Sequence, residues 1–143
     1  MGFTVTYRST KVVSLETSQA IEAAADQACE GHTWLSCEPL NFFSRDVDGT
    51  LWGGSKPNFQ PHPDDVAAAA SEGLPDGTIR DVIDILCRLS QDHGVDWSIG
   101  HDHDPHIGFI RSGICDDEVL TQIEAFADLS DMLGELGLDE ESW

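Results

Sequence analysis

The densest group of side chains able to hold a metal or carry a proton lies in Val95–Arg111, VDWSIGHDHDPHIGFIR. His101, His103 and His106 stand there beside Asp102 and Asp104. Imidazole titrates near neutral pH and is a ready ligand for zinc and related ions, so both chemistries are open to this group. Strand side chains repeat every two residues, so an extended Val95, Trp97 and Ile99 would share one face with His101 and His103. The two histidines would then lie about 7 Å apart at Cα, a spacing at which both rings can converge on one divalent ion. His106, just past the Asp104-Pro105 turn, would be the third ligand. In a regular strand Asp102 and Asp104 point to the opposite side.

His101-x-His103-x-x-His106 resembles part of the H-x-H-x-D-H motif of metallo-β-lactamase-type hydrolases. Pro105 stands where that family has its aspartate, and no histidine follows His106. The likeness spans six residues, in a chain much shorter than that family's, and implies no shared activity. A complete metal site would draw on His32 or His62, or on Cys37, Glu38 or Asp104 as anionic ligands. Cys37 or Cys115 could instead pair with a histidine as a nucleophile, although neither has a nucleophile's local signature. The four cysteines form no C-x-x-C pair, and reduced thiols are expected.

The elements that must position these residues can be read from periodicity. Gly2 to Arg8 alternates as a strand. Ser14 or Thr17 can cap a helix with Ile21, Ala24, Ala25 and Ala28 on one face, closed by Gly31. Thr33 to Phe43 is rich in strand formers, with Pro39 expected to bend it or hold it to an edge. Asp48-Gly49 signals a hairpin that returns the chain near Trp52. Gly53 to Pro63 reads as a long irregular loop. Its Gly-Gly-Ser-Lys is no phosphate loop, because the first glycine is missing and Pro57 follows Lys56. A short helix from Pro63 stops at Gly73. The strongest helical stripe is Ile79, Val82, Ile83, Leu86 and Leu89, ending at His93-Gly94. After the histidine-bearing strand pair, Asp116 or Asp117 caps a last helix with Val119, Leu120, Ile123, Phe126, Ala127 and Leu133 inward.

This order, βα-ββ-αα-ββ-α, predicts an α+β fold: a mostly antiparallel sheet of about 4–5 strands with helices on one face. Residues 1–137 would form a single domain and 138–143 an acidic, frayed tail. Among the 143 residues no apolar run reaches membrane-span length, and the N-terminus has no signal core, so a cytoplasmic setting is expected.

Charge narrows the function. Twenty-seven acidic residues face seven basic ones, a net charge of -20. Such a field repels nucleic acid and anionic membrane and attracts cations or basic proteins. After Arg111 the chain has no Lys or Arg, yet holds Asp116, Asp117, Glu118, Glu124, Asp128, Asp131, Glu135, Asp139, Glu140 and Glu141. Two readings follow: adaptation to saline surroundings, or an acidic binding face. The expected role is a small acidic binding protein with a basic protein partner and no cofactor. The alternative is a metal-binding domain or small metallo-hydrolase, holding zinc or a similar metal, centred on His101, His103 and His106. Any site should sit at the rim of the histidine face, with Lys56, Phe59 and His62 contributed from the loop.

If the acids chiefly repel one another, sodium chloride should raise the melting temperature. Most of the gain should come by about 0.15 M, where the Debye length falls to about 8 Å. A melting temperature unmoved or lowered by salt would place the acids in specific pairs instead.

Overall fold

A computed structural model describes residues 4–45, 48–57, 63–102 and 104–125. Calls that fall on Phe59, His62, His103, Phe126, Ala127, Leu133 and the tail 138–143 lie outside the described residues. The elements are β1 (Val5–Ser9), α1 (Leu15–Cys29), β2 (Phe42–Arg45), β3 (Leu51–Ser55), α2 (Pro63–Glu72) and α3 (Ile79–His93). Then come β4 (Trp97–His101), β5 (Asp104–Arg111) and the two-residue β6 (Ile114–Cys115). Residues 117–125 are helical. The fold is α+β, as the periodicities predict. The sheet order is β2-β3-β1-β4-β5-β6, with every neighbouring pair antiparallel. Its first four strands with α1 and α3 follow the split βαββαβ plan, β1 lying between β3 and β4.

The core forms where strand parity and helical periodicity meet. Val5, Tyr7 and Ser9 turn inward from β1, and Trp97, Ile99 and His101 from β4. α3 buries Ile79, Val82, Ile83, Ile85, Leu86 and Leu89. It is the helix with the longest apolar stripe and the best-defined ends. Thr78 accepts a hydrogen bond from the Asp81 amide at 3.3 Å, and the Asp81 carboxylate accepts one from the Thr78 amide at 2.8 Å. Gly94 closes the helix in the left-handed conformation at φ 67°. The Trp97 indole donates to the Leu86 carbonyl at 3.2 Å, tying α3 to β4. Tyr7 meets Trp97 edge-on at 6.4 Å, and Phe42 stacks on Trp97 at 5.7 Å.

Four boundaries differ from expectation, and the first is that Asp104 and Pro105, read as a turn, open β5, with Asp104 paired to His101. α1 starts under Ser14 as read, but it ends at Cys29 with Glu30 as its cap, before Gly31. The stretch from Thr33 becomes a strand only at Phe42. Upstream, Asp76 accepts hydrogen bonds from the amides of Leu35 and Ser36, both at 3.0 Å, and from the Ser36 hydroxyl. These amides are bound to a side chain, and among the described residues the segment makes isolated bridges, Thr33 to Asp76 and Cys37 to Pro57. Gly53 and Gly54, read as the start of a loop, belong to β3. A Cβ at Gly53 would collide with the Asn41 carbonyl, so glycine here permits a close strand crossing.

Ile83 is 1% exposed. Ile83→Ala should cost about 2–5 kcal/mol in urea unfolding, and Thr78→Ala about 1 kcal/mol. A loss at Ile83 below about 0.5 kcal/mol, typical of surface positions, would refute the packing.

Candidate functional site

β4 delivers His101 to the sheet end nearest the chain reversal into β5. Its parity with Trp97 and Ile99 is as the alternation requires, but His101 is not at the rim. It is 5% exposed, in register with Val5 of β1 and Asp104 of β5. Burying imidazole is costly unless its nitrogens find partners, and both do. Nδ1 accepts from the Asp104 amide at 3.2 Å, and Nε2 lies 3.2 Å from Gln122 Oε1. The first bond fixes the proton on Nε2, which donates to Gln122. His101 thereby joins the β4–β5 reversal to helix 117–125.

His106 goes to the other side of the sheet. The β4–β5 register shifts between Ile99 and His101, and beyond that shift His106 is exposed. Its Nδ1 lies 3.0 Å from the Ser98 hydroxyl, and its ring meets Phe109 edge-on at 4.6 Å. Ser98 alternates with the inward Trp97 and Ile99, so His101 and His106 occupy opposite faces. His103 is outside the described residues. Among the described residues no group of three or more His, Cys, Asp or Glu side chains is placed to hold a metal. Lys56 is exposed, one residue beyond Ser55, which pairs with Val5 in the row that includes His101. Its amide donates to Glu38 at 2.8 Å.

Two polar groups, the buried Tyr7 hydroxyl and the half-buried Asp76 carboxylate, carry more of the architecture than the sequence signalled. The Tyr7 hydroxyl accepts from the Asn41 amide at 2.8 Å and lies 3.0 Å from the Ser55 hydroxyl, which donates to the Pro39 carbonyl at 3.0 Å. Asp76 holds residues 35–36, as above. Both clamp the irregular segment before β2, and Asp76 had only its place in a turn to mark it. His32 lies beside this region, 5.2 Å from the Trp34 ring, with Nε2 3.6 Å from Asp81 Oδ1. Its buried Nδ1 has no hydrogen-bond partner among the described residues.

No protein-family profile, curated protein or solved structure matches this chain. The site must therefore be judged from its own chemistry.

The thiols are held neutral. Burial pushes Cys37 far above the ordinary thiol range, and the acids Glu38, Asp76 and Asp81 add to the shift. Burial raises Cys115 to about 12. Neither is an activated nucleophile, since nucleophilic cysteines need a depressed pKa.

What the structure does assemble is an apolar cleft under an acidic surface. A cavity of about 370 Å³ opens between the first turns of α3 and helix 117–125. Ile79, Ile83, Leu120 and Ile123 line it, with Arg80 and Glu124 among its polar neighbours. Helix 117–125, on one side of it, holds Asp117, Glu118 and Glu124 with no Lys or Arg, and α1, which packs elsewhere on α3, holds Glu16, Glu22 and Asp26 with none. On α3, Arg80 reaches Asp84 at 3.9 Å and Glu124 at 3.8 Å.

Burial also raises the Tyr7 phenol to about 12, against the opposing pull of its Ser55 and Asn41 bonds. Raised groups hold their protons more tightly when folded. Their stabilisation is therefore complete below the unfolded thiol value near 9.0 and is lost as pH climbs toward about 12. Urea midpoints should hold level up to about pH 9 and fall steadily above it. A midpoint flat to about pH 11 would mean that burial does not keep these groups neutral.

Proposed function

We propose that the protein is a small cytoplasmic binding protein that receives a basic protein partner on its acidic helical layer. The observation that carries this reading is the one-sided charge of α1 and 117–125, which lack Lys and Arg while presenting acids outward. Like charges so arranged repel one another in the free protein, and a cationic partner relieves that repulsion as it docks. Complementary fields of this kind speed encounter and suppress wrong partners. The chemistry-bearing side chains support the same reading. His101 and Asp76 are engaged in bonds that hold segments together, and Cys37 is a buried thiol. Among the described residues no helix is long and apolar enough to cross a membrane, and a partner in solution fits that.

A tetra-arginine peptide titrated by calorimetry tests the surface. Two double variants change net charge equally: Glu22→Lys with Asp26→Lys on α1, and Asp65→Lys with Glu72→Lys on α2. The α1 pair should weaken binding about five- to tenfold more than the α2 pair, roughly 1 kcal/mol. Equal losses would mean that net charge alone attracts the peptide and that the helical layer is no binding face.

A further inference from the structure

We propose that the cleft between α3 and helix 117–125 takes an aliphatic side chain borne on a cationic segment of the partner. The inference rests on the acidic-layer reading and adds to it the partner's apolar anchor. Ile79, Ile83, Leu120 and Ile123 make the lining aliphatic, and none of these four can titrate or donate a hydrogen bond. At about 370 Å³ the space lies within the range of ligand-sized pockets, so it can accept a leucine-sized group. An apolar pocket beneath a polar rim is also the usual setting of an interface anchor.

The rim selects the sign of what surrounds that anchor. Arg80 comes from α3 and Glu124 from helix 117–125, and they meet at 3.8 Å. Both side chains are largely exposed, so this pair contributes little to stability and exchanges readily. Arg80 also has Asp84 at 3.9 Å. One cation therefore stands among two carboxylates, with Asp117 and Glu118 on the same short helix as Glu124. A fatty acid or acidic peptide would bring a further negative charge to that edge. A partner arginine or lysine could instead replace Arg80 on Glu124 while the neighbouring aliphatic side chain enters the cleft. Apolar burial would then supply affinity, and the carboxylates would supply the choice of partner.

The test uses the whole chain and two peptides of equal charge, Arg-Arg-Gly-Leu-Gly-Arg-Arg and its counterpart with glutamine replacing leucine. Calorimetry at low salt should find the leucine peptide tighter by about tenfold or more. Amide and methyl NMR shifts on adding it should centre on Ile79, Ile83, Leu120 and Ile123. Leu120→Trp, at a half-buried lining position, should erase the preference and leave the glutamine peptide's affinity as it was. Equal affinity of both peptides, or shifts confined to surface acids, would overturn the cleft and leave the acidic-layer reading standing. Failure of both peptides to bind would sink that reading and the cleft with it. Should Leu120→Trp not fold, the wild-type shifts and the peptide ratio decide the matter.

Discussion

The contact between α3 and Trp97 is the one on which the other packing depends. α3 brings an unbroken apolar stripe, and Trp97 lies under it with its indole bound to the Leu86 carbonyl. Tyr7 and Phe42 then pack against the same tryptophan, so β4, β1 and β2 share a single aromatic centre. Directional bonding at the indole matters as much as the burial. A buried N–H without a partner would cost about 1–3 kcal/mol, and this one is satisfied by the helix it supports. The strand order follows from that centre. β1 sits between β3 and β4, which lets the first and last strands of the βαββαβ unit meet antiparallel beneath α3.

Those parts of the fold that rest on periodicity were legible in the sequence. The α3 stripe, the alternation of Trp97, Ile99 and His101, the Ser14 cap and the turn at Asp48-Gly49 all depend on spacing within a few residues. Boundaries set by distant partners were not legible. Asp76 takes amides some forty residues away, and this keeps residues 35–36 out of the sheet. Gly53 reads as a loop residue by composition, yet it is required where β3 passes the Asn41 carbonyl. The two errors have one origin: a backbone group was bonded or crowded by a residue that no local window contains.

The histidine stretch separates what parity can and cannot say. Parity put His101 on the core face, and it is there. It could not say that Gln122, from a helix beyond β5, would reach Nε2 and make burial tolerable. Nor could it anticipate the register shift after Ile99, which sends His106 to the opposite face. Spacing along one strand implies convergence only while the ladder is regular. A bulge at the reversal is enough to divide a row of ligands between two sides of the sheet.

Charge and cavity make a stronger argument together than either does alone. Acidity spread over a small protein has a bland origin in ionic surroundings, and an apolar cleft on a small domain can be a packing imperfection. Here α1 and 117–125, like α2, carry acids with no Lys or Arg, and the cleft opens along 117–125. A purely solvating surface has no need of aliphatic side chains at its edge. A packing fault has no need of carboxylates outnumbering the one cation near it. An interface core needs both, since apolar burial supplies affinity only after the charged groups around it have chosen the partner. His101 contributes to this arrangement without touching it. By binding Gln122 it helps, with buried Val119 and Ile123, to hold on the sheet the helix that carries Leu120 to the cleft.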